Sequence, residues 1–153
     1  HYFDHSRMRY AYDPAKAKSL LDAAGWINTK GPLTAEDLRG KIVLVDFWAS
    51  DCIPCIQNLP ELIAFNKHYH DRGVMIVGLS EETGQRAVHL KNFIEAREGL
   101  DWPNGYGAAM AYEILGIYGT PTYLLYDQSG RSVWGGHSLD GLDDAGTALL
   151  AKK

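Results

Sequence analysis

The stretch VDFWASDCIPC, residues 45–55, holds both cysteines of a 153-residue chain in one C-x-x-C. The residues leading into it, KIVLVDFWA at 41–49, are apolar and β-branched, and read as a strand buried on both faces. The residues leading out read as a helix from about residue 51 to residue 70. Pro60 lies inside it and is expected to kink it, because proline removes a backbone donor. Cys52 therefore stands where a buried strand hands over to a helix. Unpaired N–H groups and partial positive charge at that helix end favour a thiolate, so Cys52 is the expected attacking sulfur. Cys55, nearly one turn further in, is placed to resolve a mixed disulfide, and Pro54 stiffens the short loop between the two. Asp51 complicates this reading, because a carboxylate directly before the attacking sulfur opposes its ionisation.

Working outward, GVMIVGLS at 73–80 is a second buried strand. Residues 84–98 have a helical stripe of Ala87, Leu90 and Ile94. A looser GLDWPNGYG leads into a short helix ending near Gly116. TPTYLLYDQSGRSVWGG, residues 120–136, reads as a hairpin in which Asp127 and Gly130 suit the first and last places of a type I turn. A last helix is expected over 139–153. Towards the N-terminus, TAEDLRG forms a helical turn after the turn-forming KGP. YDPAKAKSLLDAAGW, residues 12–26, is a short helix with Asp13 as N-cap, Pro14 at its first position and Gly25 closing it. Leu20, Leu21 and Ala24 supply its modest apolar face, and the residues before it, rich in His, Arg and Tyr, form an arm. This order implies an α/β domain with a mixed central sheet flanked by helices. The first two strands are parallel and the hairpin adds antiparallel ones.

Composition sets outer limits. Apolar residues at 46% and charged residues at 22% are ordinary for a globular chain of single-domain length. A net charge of −4 and a pI near 5.8 argue against a nucleic-acid partner. No apolar run is long enough to span a bilayer. The sequence begins with His1, so a signal peptide or membrane anchor is expected to have been removed with the original N-terminus. Two cysteines form no disulfide framework, and one C-x-x-C suits redox or metal chemistry better than structural stapling.

VDFWASDCIPC, Pro60 and GTPTYLLYDQSG together resemble the thioredoxin superfamily over roughly residues 26–153. Asp46, Trp48 and Pro60 keep thioredoxin spacing from the cysteines. The helical insertion before GTP, and Thr120 before the proline, are similar to the TlpA/ResA branch of bacterial extracytoplasmic thiol–disulfide oxidoreductases. The resemblance implies a thioredoxin-like fold with that insertion before a cis-proline, and with an added N-terminal arm and helix in residues 1–25. It implies that Cys52 is the nucleophile, Cys55 the resolving thiol, and Pro121 the cis-proline packed against them. The backbone of Thr120 would pair with an extended substrate segment. Trp48 stands at the position beside the active site, or is an ordinary core tryptophan. Asp46 lies in an apolar strand, where desolvation raises a carboxylate's pKa and makes it a fair proton acceptor for Cys55 through water. The alternative is an aspartate hydrogen-bonded at the strand end.

The chain departs from the branch at two positions. Tryptophan usually precedes the first cysteine, where Asp51 stands, and Asn58 replaces a frequent glutamate. Asp51 is read either as the N-cap of the helix or as a charge on the docking surface that favours basic partners. Three other functions compete. A metal module would need ligands beyond two thiolates, and His68 and His70 point apart on a helix, leaving His137 as the one candidate. A thiol peroxidase would usually carry Thr or Ser where Ala49 stands. A redox-silent binding domain would not need both sulfurs.

The favoured expectation is a thiol–disulfide oxidoreductase, more a reductase than an oxidase, acting on protein disulfides outside the cytoplasm in the bacterial periplasm or envelope. It needs no bound cofactor and no metal. Its electrons would come from an upstream dithiol protein, a membrane-embedded one included, and a monomer held by an N-terminal anchor is expected.

Overall fold

Six strands form one mixed sheet in the order β1-β4-β3-β2-β5-β6. The structure is a computed structural model that describes residues 14–29 and 31–152. The run that introduces the cysteines forms the central strand β2 (Ile42–Phe47). It lies parallel to β3 (Val74–Leu79) and antiparallel to β5 (Thr122–Tyr126). Its sequence is a continuous apolar run because both of its faces are covered. Ile42 and Leu44 enter the core on one side, and Val43 and Phe47 pack on the other. β5 returns as β6 (Ser132–Gly136) through a turn in which the Gly130 N–H donates to the Asp127 carbonyl at 3.0 Å.

Helices cover both faces. On one lie α3 (Ile53–Tyr69), α4 (Gly84–Glu95) and α6 (Leu142–Ala151), which bring Leu62, Leu90, Ile94 and Leu149 onto Ile76 and Leu125. On the other, α5 (Ala109–Leu115) packs Ala111 and Tyr112 on Phe47 and Leu124, and Leu20 of α1 (Pro14–Asp22) joins them. Leu38 of α2 (Ala35–Leu38) packs against Val43 and Val77. Among the described residues no helix is long and apolar enough to cross a membrane.

Several details differ from the sequence reading. Two strands of three residues emerge from segments read as loop or helix end: β1 (Gly25–Ile27) pairs antiparallel with β4 (Asn104–Tyr106), which pairs parallel with β3. Gly25 therefore does not close α1, which ends at Asp22. It is a strand residue, and a Cβ there would fall 2.1 Å from the Tyr106 ring. The expected cap Asp13 lies outside the described residues. As expected, Pro60 lies inside α3, where its missing N–H leaves the Ile56 carbonyl without its helical donor. α4 and α6 are shorter than expected, while α5 ends at Gly116 with φ +67°.

Candidate active site

β2 and β3 run parallel and end side by side, so the loops leaving them share one edge of the sheet. The carboxyl ends of parallel strands are where α/β sheets place their chemistry. Cys52 follows β2 and is itself the N-cap of α3, with φ −85° and ψ 104°. Its Sγ accepts from the Cys55 N–H at 3.3 Å, and its carbonyl accepts from the Ile56 N–H at 3.0 Å. This overturns the N-cap reading of Asp51 and leaves the other, a charge at the surface. The sulfur takes the Cys55 N–H, and the Asp51 carboxylate turns outward to the Arg86 guanidinium at 2.5 Å. Pro54 fits because the first turn of a helix has no use for its missing donor.

Cys52 and Cys55 are joined as a disulfide. Cys52 is partly exposed, whereas Cys55 is 1% exposed and packs in the core. One sulfur is thus open to a partner and the other sheltered. The Thr120–Pro121 peptide is cis. Pro121 is buried, and its carbonyl accepts from Nδ1–H of His137 at 3.1 Å. Thr122 locks the same segment by donating its hydroxyl to the Gly119 carbonyl at 2.7 Å. Sequence analysis weighed His137 as a metal ligand. Instead it holds this loop, and among the described residues no three His, Cys, Asp or Glu side chains gather into a metal site.

Asp46 is 2% exposed, and its Oδ1 has no hydrogen-bond partner among the described residues. That removes the reading of a hydrogen-bonded strand-end aspartate for this oxygen. By strand alternation it shares the α3 face with Ile42 and Leu44, opposite Tyr123 on β5 and Gly78 on β3. Burial alone pushes its pKa up to about 8. Asn58, which stands where the related branch carries glutamate, donates to the Tyr123 hydroxyl at 3.0 Å. Burial, with the Asp46 charge second, holds the Tyr123 hydroxyl above its ordinary range. Trp48 is 1% exposed, donates from its indole to Asn104 Oδ1 at 2.9 Å and tilts against Phe93. It is a core residue that also helps to line a 350 Å³ cavity with Ala49, Tyr118 and Thr120.

Sequence reasoning missed Glu82. This carboxylate is 6% exposed and accepts from the Ser50 N–H at 3.2 Å, the Ser50 hydroxyl at 2.6 Å and the Ser80 hydroxyl at 2.9 Å. It thereby ties the β3–α4 loop to the loop that carries Cys52. The available signal was an acid placed just beyond the carboxyl end of a buried strand, in GLSEE. Tyr112 was missed as well; its hydroxyl donates to the Leu79 carbonyl at 2.7 Å.

A family model described as the AhpC/TSA family matches residues 13–131. The thiol-disulfide oxidoreductase ResA of Bacillus thuringiensis is 34% identical over 101 residues, which is 64% of this chain and 56% of ResA. Protein DipZ of Mycobacterium tuberculosis is 40% identical over 65 residues, 41% of this chain and 9% of DipZ. The chain thus spans little more than half of one curated relative and a small part of the other. A thiol-disulfide isomerase from Corynebacterium glutamicum superposes with a TM-score of 0.74 at 26% identity, covering 87% of this chain and 95% of that one.

Proposed function

The chain belongs to the AhpC/TSA family and has a thioredoxin-like fold, and from that premise we propose that it is a thiol–disulfide oxidoreductase that reduces protein disulfides. The observation that carries the proposal is the Cys52–Cys55 disulfide, with one sulfur open and one sheltered. In the reduced form, the Cys52 thiolate attacks a substrate disulfide, forms a mixed disulfide and releases one substrate thiolate. Cys55 then loses its proton and attacks Cys52 Sγ, which releases the second substrate thiolate. Two electrons pass to the substrate, and the protein is left with its own disulfide. Asp46 receives the Cys55 proton through water. Its pKa near 8 lies close to that of a thiol, which suits it to both taking and returning the proton.

In this reading the backbone at Thr120 pairs with an extended substrate segment. Asp51 and Pro54 are exposed beside the open sulfur, and buried Trp48 and Pro121 support that surface from within. An upstream dithiol protein regenerates the reduced form. The reaction takes place outside the cytoplasm, as an N-terminal anchor or leader would arrange. A Cys55→Ser variant tests the mechanism. Mixed with a disulfide-bonded protein such as insulin, it should accumulate a covalent adduct at Cys52 that thiol reductants release. No adduct at Cys52 of the variant, with that thiol accessible to alkylation, would contradict it.

A further inference from the structure

The loop at residues 50–52 carries one charge that the exchange reaction does not consume, Asp51, and α4 answers it with Arg86. Asp51 adjoins the attacking sulfur and pairs with Arg86 at 2.5 Å. Arg86 also lies 3.7 Å from Glu82. Glu82 is not free to move, because both of its oxygens accept from the Ser50 N–H at 3.2 Å and the hydroxyls of Ser50 and Ser80 close on it. The guanidinium therefore sits between an anchored buried carboxylate and an exposed one. Exposed pairs are usually weak because two long side chains must be held together. Here one partner of Arg86 is fixed in advance, which lowers the entropy lost in holding the other.

We propose that Arg86, anchored on Glu82, is a positioning residue that cancels the Asp51 charge beside Cys52, so that the nucleophile ionises as though position 51 were neutral. The inference rests on Cys52 being the attacking thiol. It accounts for an acid at a position where a negative charge alone would hold the sulfur protonated. Other titratable or charged groups on the elements around Cys52 include Asp46 at the end of β2, Glu61 on α3, Glu81 beside Glu82, Tyr112 and Tyr118 along the cavity that Arg86 also lines, and His137 after β6. None of these forms an ion pair with Asp51 among those described.

The test is a pH titration of thiolate absorbance in the reduced protein, for wild type, Arg86→Gln, Arg86→Lys, Asp51→Asn and the double variant Asp51→Asn/Arg86→Gln. All of these substitutions fall at exposed side chains. Arg86→Gln should raise the Cys52 midpoint by roughly half a pH unit, and Arg86→Lys should restore most of it. Asp51→Asn should lower the midpoint, and the double variant should return close to wild type. An unmoved midpoint in Arg86→Gln, or a double variant that stays as high as Arg86→Gln alone, would overturn the proposal. Hydrogen exchange reads the anchor separately. The Ser50 amide should exchange faster in Glu82→Gln, and an unchanged rate would remove Glu82 from the arrangement. If the variants still reduce insulin while the midpoints coincide, the exchange mechanism stands and this inference fails. If neither the variants nor the wild type reduce insulin, the exchange mechanism itself fails.

Discussion

At the scale of single residues, Asp46 bears on both stability and activity. An unfolded chain loses this proton near the ordinary value of 3.8, whereas the folded protein holds it up to about 8. Well below pH 3.8 both states are protonated and the residue is neutral in its effect. As pH rises towards 8 the unfolded state gains by ionising while the native state does not, so native stability falls across that window. Asp46→Asn should therefore melt higher than wild type at pH 8, by on the order of a few kcal/mol, with the difference shrinking towards pH 4. Thermal unfolding of the oxidised forms at both pH values checks this. The same variant should exchange disulfides about tenfold more slowly or worse at pH 7, because Cys55 loses its proton acceptor. A variant that is more stable but slower would separate the residue's chemical role from its structural cost. Asp46 was legible in the sequence as an acid inside an apolar strand. The partners of Asp51 and Glu82 were not, because Arg86 lies 35 residues from the first and no local pattern brings them together.

At the scale of elements, β3 makes room for the site by what it lacks. A Cβ on Gly78 would fall 1.9 Å from Asn104 Oδ1 and 2.9 Å from Trp48 Nε1, the two atoms that hydrogen-bond each other. Asn104 cannot swing aside, since it is fully buried and its amide also donates to the Trp102 carbonyl at 3.1 Å. Gly78→Ala should then lose about 1–3 kcal/mol, seen as a lower urea midpoint; an unchanged midpoint would mean the Trp48–Asn104 contact is dispensable. Element type was legible wherever the apolar run was long, as in β2, β3 and β5, or where turn chemistry was explicit, as at Asp127 and Gly130. β1 and β4 escaped because GWI and NGY are too short to show a period and are strands only through tertiary pairing. α3 starts at Ile53, two residues after the expected start, because a cysteine sulfur, rather than the aspartate beside it, took the cap.

At the scale of the whole molecule, a rigid sheet places three distant segments at one edge. These are the cysteine loop after β2, the acidic loop after β3 and the cis-proline segment before β5. Sequence analysis located the first and the last, each carried by its own motif. The middle one enters the site only because β2 and β3 pair in parallel register, Asp46 beside Gly78 and Phe47 beside Leu79. The central claim is that the pair cycles between dithiol and disulfide while a substrate disulfide opens. The most direct measurement mixes fully reduced protein with oxidised insulin, quenches with acid, alkylates free thiols and determines intact masses over time. The account predicts that both protein thiols disappear together as one insulin disulfide opens, with Cys52 the only cysteine seen in the transient adduct. Protein thiols that stay alkylatable while insulin remains oxidised, or an adduct carried on Cys55, would contradict it.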